Sequence, residues 1–286
     1  MRRIFRLFIC LCSLAASPGQ AMAQPEVVAS IKPLQLIAMA VTEGVSEPAL
    51  VMDESQDPHH PSLRPSQRRA MDRADIFLWT GPQLETGLEN VTAILSADVL
   101  TAIQVEGLVL YPWGDSIDPH VWLDSRNAVL IAEELVNRLT AIDAANAGIY
   151  AANLASFRDD MQALVPFIAD VLDAEEFPPF AAYHDGYQYF EKQFGLSHVT
   201  SFISNEEVQP GIRQVLAIKK QLEDNAVNCI VVGPSQNTVF LDNQVGRPNM
   251  RYVMIDVLAS QTPLVANGYR QFMGELAEKL AGCRQP

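Results

Sequence analysis

One apolar run decides the fold class of this chain: Ala74-Asp75-Ile76-Phe77-Leu78-Trp79-Thr80. The run is nearly continuous in apolar character, which suits a strand in a sheet that is covered on both faces. Gly81 follows it and begins a turn into helical sequence. Short β-rich runs of this kind alternate with helical runs along the chain, which favours βαβ units. We therefore predict an α/β fold with mainly parallel sheets.

The flanking sequence repeats this alternation on both sides of one long helical pattern. Before it, strands are predicted at Val27–Ile31, Ala49–Met52 and Val99–Val105, and helices from Pro33 to about Val41 and from Ser66 to about Asp72. The long pattern runs from about Ala144 to Leu172, with its apolar residues at helical spacing on one face. Pro166 within it predicts a kink or a break. After it, strands are predicted at Ala181–His184, His198–Ile203, Asn228–Val232 and Arg251–Asp256.

These elements predict two Rossmann-like lobes joined by one long linker helix. We assign residues 1–23 to a signal peptide, 24–142 to an N-terminal lobe, 143–172 to the linker helix and 173–286 to a C-terminal lobe. A single long linker helix limits hinge motion, so we expect loop rearrangement to be the main response to a ligand.

The first 23 residues have the composition of a secretory signal. Arg2, Arg3 and Arg6 precede an apolar run from Ile4 to Ala16, and Ala21-Met22-Ala23 is a small-x-small cleavage site. Removing three arginines lowers the formal charge of the 286-residue chain from −14 to −17. Such a chain repels phosphate backbones and anionic membrane surfaces, so nucleic-acid binding is not expected. We predict an exported protein.

Two cysteines, Cys229 and Cys283, follow the predicted cleavage site. Two cysteines in an exported protein predict one disulfide bond. Two buried free thiols are the alternative.

Three of the five histidines share one sequence context. His59, His120 and His184 each lie at or just beyond a predicted strand end, and Asp256 ends another strand in the same way. Carboxyl ends of strands face the binding crevice in open α/β sheets. Three imidazoles and one carboxylate suit tetrahedral Zn²⁺. Spacing alone also allows each histidine to be an ordinary hydrogen-bonded structural residue.

Several motifs resemble the ZnuA-like proteins, the zinc-binding receptors of bacterial ABC importers in the metal-binding cluster of solute-binding proteins. The resemblance extends from about Val27 to Cys283 and rests on the order and spacing of its motifs. These motifs are the runs Val28 to Leu34, His59 with Ser62 to Ser66, Asp118 to Leu123, Tyr183 to Leu196 and Gln209 to Gly211, and the Cys229/Cys283 pair.

The resemblance implies a periplasmic receptor that captures Zn²⁺ between two lobes and delivers it to an ABC permease with its ATPase. It implies a monomer with no enzymatic activity. His59 and His120 would be ligands from the first lobe, and His184 and Asp256 from the second. Asp118 and Trp122 are interpreted as loop-shaping and packing residues. Affinity for zinc is expected to fall as the pH drops toward and below about 6.5, because imidazoles must lose a proton to bind the metal.

Metal choice depends on His184. The manganese and iron receptors of the family generally have a carboxylate at this position, and Mn²⁺ prefers oxygen ligands. A manganese or iron receptor is therefore the alternative within the family. His60 is an alternative to His59, and a water molecule or Asp57 is an alternative to Asp256. Many ZnuA-like proteins carry a His- and acid-rich loop between the first two ligands, but residues 80–117 contain no histidine.

An exported zinc hydrolase is the alternative from a different class. It needs three ligands, an open water position and a general base, for which Asp185, Glu206 or Glu207 could be proposed. The sequence contains neither a His-Glu-x-x-His pair nor a Gly-x-Ser-x-Gly turn, which disfavours this alternative. An adhesin or chaperone role on the same scaffold would leave the metal site unchanged.

Overall fold

The computed structural model describes residues 24–53, 56–203, 211–234, 236, 238–245 and 250–284. The predicted signal peptide, Glu206 and Glu207 lie outside these ranges. The elements of the first half are β1 (Val27–Ala29), α1 (Lys32–Thr42), β2 (Ala49–Leu50), α2 (Pro65–Arg73), β3 (Ile76–Trp79), α3 (Glu89–Thr92), β4 (Asp98–Thr101), β5 (Pro112–Trp113), β6 (Ser116–Ile117) and α4 (Ser125–Ile142).

The remaining elements are α5 (Ala147–Leu172), β7 (Ala181–His184), α6 (Gln188–Phe194), β8 (Ser201–Ile203), α7 (Ile212–Asp224), β9 (Cys229–Val232), α8 (Thr238–Val245), β10 (Arg251–Met254) and α9 (Gly268–Leu280). Short 3-10 helices lie at Thr86–Leu88, Ala102–Gln104, Val121–Leu123, Ala144–Asn146, Ala174–Glu176 and Ala281–Arg284.

Two four-stranded sheets confirm the predicted α/β fold with two lobes. The first has the strand order β2-β1-β3-β4 and the second β10-β9-β7-β8, and all pairings within them are parallel. Every residue of β3 is buried, as its apolar run predicts, and every residue of β9 is buried too. A separate antiparallel hairpin, β5–β6, lies between the first sheet and α4. The sequence patterns did not predict this hairpin.

The long helix α5 is continuous through Pro166. Residues at helical spacing are buried on one face: Tyr150, Leu154, Phe157, Met161, Leu164, Ile168 and Leu172. Pro166 is on the exposed face, as is Gln162, the residue whose carbonyl loses its helical donor. Water can bond to a carbonyl on that face, so the predicted break does not occur.

One hydrophobic core runs through both lobes. It includes Val28 of β1, Leu34 of α1, Leu154 of α5, Val231 of β9 and Tyr269 of α9. Helix α1 packs against α5 and also against α9, the last helix of the chain. The lobes therefore share a packed centre rather than a flexible linker.

The predicted disulfide is present between Cys229, at the start of β9, and Cys283, after α9. The two Cα atoms are 5.5 Å apart and the residues are separated by 54 positions. The bond ties the chain's last helix to the centre of the second sheet. None of the helices in the described part of the chain could cross a membrane, because each is too short or too polar.

Candidate metal centre

Three histidines from distant parts of the sequence meet in one place. His59 lies between β2 and α2, His120 lies between β6 and the 3-10 helix at Val121–Leu123, and His184 is the last residue of β7. One potential ligand atom from each lies within 4.8 Å of the others. Within the described ranges this is the only such group of three or more histidine, cysteine, aspartate or glutamate side chains.

The spacing of the three rings fits one small metal ion. Ring centroids are 5.8 Å apart for His59 and His120, 5.6 Å for His59 and His184, and 5.4 Å for His120 and His184. Tetrahedral Zn²⁺ with nitrogen ligands at about 2.0–2.1 Å holds imidazole centroids about 5.2 Å apart. The ring centroids therefore already have nearly the separation that a common ion requires.

The orientation of His120 is set by Asp118. One carboxylate oxygen of Asp118 accepts hydrogen bonds from the backbone N–H of His120 at 3.0 Å and from its Nδ1 at 2.8 Å. A carboxylate only accepts, so Nδ1 carries the proton and Nε2 keeps its lone pair. Asp118 is fully buried and His120 is 2% exposed. This arrangement fixes one imidazole in the form that binds a metal and adds a nearby negative charge.

The other two histidines are held in their neutral form. Burial lowers the pKa of His184 to about 2, and repulsion from the protonated forms of His120 and His59 adds to this effect. Burial also lowers the pKa of His59 to about 3, with added repulsion from the protonated forms of His120 and His60. Nε2 of His184 is buried and has no hydrogen-bond partner among the described residues. Two neutral imidazoles are suited to binding a cation.

A glycine makes the close approach of two ligands possible. A Cβ atom on Gly186 would lie 2.8 Å from Cδ2 of His184 and 3.0 Å from Nε2 of His120. Only a residue without a side chain leaves room for both rings at this point. The sequence contained the glycine within the Tyr183 to Leu196 motif, but nothing in its spacing indicated the contact.

Asp256 lies outside the group defined by the 4.8 Å limit. One oxygen accepts from the backbone N–H of Leu258 at 2.9 Å, and the other accepts from the N–H and hydroxyl of Ser260 at 2.7 and 2.5 Å. A carboxylate has about four acceptor positions. Three donors therefore leave Asp256 with one position for a further partner.

The remaining histidines lie elsewhere. His60 is exposed and is not part of the group of three. His198 is held by Glu191, whose carboxylate oxygen is 2.8 Å from its Nδ1, and by Asp185 at 3.6 Å from its Nε2. These acidic partners raise the pKa of His198 against the opposing effect of burial, which is the largest single influence. These contacts give His198 a structural role within the second lobe.

The indole of Trp113 is the part of this centre that sequence reasoning missed. Its ring centroid lies 6.3 Å from that of His59, 5.7 Å from that of His120 and 5.9 Å from that of His184. The residue is 7% exposed. The turn residues Gly114-Asp115, which follow it, were the available signal for a hairpin at this position.

The sequence profile of the family described as "Zinc-uptake complex component A periplasmic" (ZnuA) matches residues 27–283. The chain belongs to the ZnuA family. This membership confirms the resemblance found in the sequence motifs.

Individual ZnuA proteins are similar over nearly their whole length. The "High-affinity zinc uptake system protein ZnuA" of Haemophilus ducreyi is 26% identical, covering 92% of this chain and 94% of that protein. The protein of the same name from Brucella abortus is 26% identical over 99% of both chains. A crystal structure of ZnuA superposes with a TM-score of 0.79 at 18% identity, covering 91% of this chain and 99% of the other. This structure shares the fold.

Proposed function

We propose that this chain is a zinc-binding receptor that captures Zn²⁺ between its lobes and delivers it to the permease of an ABC importer. The observation that carries the proposal is the convergence of three histidines from separate parts of the chain. One potential ligand atom of each lies within 4.8 Å of the others. Membership of the ZnuA family supports zinc as the cargo. The receptor acts as a monomer in the periplasm, and its partners are a permease and the permease's ATPase.

Zinc is captured by His59, His120 and His184, with Asp256 as the fourth ligand. Three nitrogen donors favour Zn²⁺ over Mn²⁺, which prefers oxygen. Asp256 reaches the ion with its remaining acceptor position when the loop that follows β10 moves towards the three histidines. The three donors on its oxygens orient the carboxylate, which can balance part of the ion's charge.

No catalytic step is part of this function. The ion enters a site in which Asp118 already orients one imidazole. Neutral His59 and His184 then bind without first releasing protons to the solvent, because their pKa values are far below neutral pH. Binding from both lobes gives the loaded receptor a surface that differs from the empty one, and the permease can recognise that difference.

The decisive experiment measures metal content and competition binding for the mature protein and for His184→Glu. We expect one tightly held zinc per chain, and we expect the substitution to weaken Zn²⁺ relative to Mn²⁺ by about tenfold or more. His60→Gln is the matched control, because it removes an exposed histidine of the same region. An unchanged metal preference in His184→Glu would refute the assignment of selectivity to this residue.

Two further substitutions test the ligand set. We expect His59→Gln to abolish tight binding while His60→Gln leaves it intact, which distinguishes the two adjacent histidines. Asp256→Asn is expected to weaken zinc binding by about 10–100-fold, and Asp57→Asn to leave it within about threefold. Equal losses in the two aspartate variants would remove Asp256 from the ligand set.

A further inference from the structure

Four aromatic rings, not three, surround the candidate metal position. The six centroid separations among His59, His120, His184 and Trp113 all lie between 5.4 and 6.3 Å. The four centroids are therefore the corners of a nearly regular tetrahedron. Its centre is about 3.5 Å from each corner, and a zinc ion lies about 3.2 Å from the centroid of an imidazole that binds it. Trp113 covers the side of the ion that the three imidazoles leave open.

Trp113 is held at this corner from the other side of the cleft. Its Nε1–H donates to the carboxylate of Asp185 at 3.3 Å, and Asp185 directly follows His184. The base of the hairpin is fixed as well, because the hydroxyl of Tyr189 accepts from the N–H of Tyr111 at 3.3 Å and donates to the carbonyl of Asp118 at 2.8 Å. The hairpin that carries Trp113 is therefore positioned by α6 and the loop before it.

The side chain of Gln188 adds a further tie, since it donates to the carbonyl of Pro112 at 3.2 Å. The hairpin itself is minimal: two residues pair with two across a tight turn, in which Gly114 has a φ of 61°. So short a hairpin has little stability of its own. Its position depends on contacts with the second lobe, and it can move when those contacts change.

We propose that Trp113 is a specificity-determining cover that limits the number of ligands around the bound ion. Indole offers a donor N–H and no lone pair, so it covers this side without coordinating. Zn²⁺ is stable with four ligands, whereas Mn²⁺ prefers octahedral coordination and needs more. A fourth ligand has to enter beside the indole, and the space that the indole occupies excludes the additional waters that an octahedral ion requires.

The cover has a second consequence, for the rate at which the ion leaves. An ion under a buried indole can exchange with solvent only after the hairpin moves, so Trp113 slows release as well as limiting coordination. This inference rests on the proposed function, because it concerns the site that we assign to zinc. Trp113 is then a residue outside the ligand set that determines both the preference for Zn²⁺ and the rate at which the ion leaves.

The test compares Trp113→Ala with the wild-type protein loaded with one zinc. Release to an excess of chelator is followed by stopped flow, and competition between Zn²⁺ and Mn²⁺ is measured at equilibrium. We expect Trp113→Ala to release zinc about tenfold faster and to lose about tenfold of the preference for Zn²⁺ over Mn²⁺. Trp113→Leu is expected to change the release rate and the metal preference in the same direction, while removing less side-chain volume. It is the variant to measure if Trp113→Ala does not fold.

Trp79→Phe is the matched control. Trp79 is as deeply buried, at 4% exposed, and also makes one indole N–H hydrogen bond, to Thr101 at 2.9 Å. Both measurements are expected to stay at wild-type values in this variant. Wild-type release and preference in Trp113→Ala and Trp113→Leu would overturn the cover while leaving the zinc receptor intact. A wild-type protein that holds no zinc would overturn both proposals.

Discussion

Gly186 is the residue at which the backbone comes closest to the ligand rings. We expect Gly186→Ala to weaken zinc binding by about 10–100-fold, since the added methyl group must displace the rings of His184 and His120. Gly148→Ala in α5 is the control, because a Cβ there meets no heavy atom within 4 Å. Alanine should stabilise that helix by about 0.5–1 kcal/mol. Calorimetric titration with zinc measures the first effect, and tight binding by Gly186→Ala would contradict the crowding.

The lowered pKa values of His59 and His184 predict how metal-free protein responds to acid. The unfolded chain binds protons at these positions near pH 6.5, whereas the folded chain does so only near pH 3 and pH 2. Because the folded-state pKa values are depressed, the stability that they contribute is fully present above pH 6.5. It is lost as the pH falls from 6.5 towards these folded-state values. We therefore expect the free energy of unfolding of metal-free protein to decrease steadily from pH 6.5 towards pH 4.

Urea unfolding at a series of pH values, with a chelator present, measures this slope. The double variant His59→Gln/His184→Gln should show a flatter dependence, and His60→Gln, which removes only the smallest of the three causes that lower the pKa of His59, should stay close to the wild type. A slope that survives in the double variant would assign the acid sensitivity to other groups. With these pKa values, protons compete with zinc for His59 and His184 only well below pH 6.5, the value expected for an unperturbed imidazole.

At the scale of elements, a buried carboxylate joins the end of β1 to the turn after β3. Glu85 is fully buried; one oxygen accepts from the hydroxyl of Ser30 and the other from the N–H of Gly81 at 3.0 Å. Burial outweighs these hydrogen bonds and raises the pKa of Glu85 to about 7. A raised folded-state pKa gives stability that is present below pH 4.5 and is lost as the pH rises through 7.

We expect Glu85→Gln to remove this dependence. Relative to the glutamine variant, wild-type protein should lose about 3 kcal/mol of unfolding free energy between pH 4.5 and pH 7.5, which corresponds to the shift in pKa. The measurement is the difference between the two urea unfolding curves at each pH, so that other titrating groups cancel. Glu89→Gln serves as the control on the helix that follows. A difference that does not change with pH would mean that Glu85 stays ionised in the folded protein.

The elements that the sequence predicted are those in which burial alone determines the pattern of apolar residues. Strand β3 is apolar at every position because both faces of the sheet are covered, and β7 begins and ends at the predicted residues, Ala181 and His184. The hairpin β5–β6 was missed because strands of two residues have no periodicity. Helix α2 begins at Pro65 rather than after a Ser66 cap, since Pro65 fits the first helical turn.

The site was predictable to the extent that its residues follow strand ends or lie in motifs. His184 is the last residue of β7, whereas His59 and His120 lie in loops and were indicated by the motifs that resemble the ZnuA family; the structure groups all three. The position of Trp113 could not be predicted, because it depends on the hydrogen bonds of Tyr189, Gln188 and Asp185, which lie more than seventy residues away in the sequence. Contacts of that range arise from the packing of the two lobes and have no local signal.

At the scale of the whole molecule, hydrogen bonds across the lobes hold the loop of His120 in place. The indole N–H of Trp122 donates to the carbonyl of Val257 at 2.9 Å, and the hydroxyl of Tyr269 donates to the carbonyl of Trp122 at 2.7 Å. Trp122 and Tyr269 are both fully buried. Closing or opening the lobes as rigid bodies would break these bonds inside the shared core, where unpaired polar groups cost about 1–3 kcal/mol each.

We therefore expect zinc binding to move loops and not lobes. A compact chain of this size has a radius of gyration of about 18 Å, and small-angle X-ray scattering should show a change below about 0.5 Å between chelator-treated and zinc-loaded protein. Amide hydrogen exchange should slow in the loop of His59 and in the β5–β6 hairpin, while α1 and α5 remain unchanged. Trp122→Phe removes the bond to Val257 and is expected to increase the change on binding. A contraction of several ångströms in the wild-type protein would show instead that the shared core of α1, α5 and α9 yields when the metal binds.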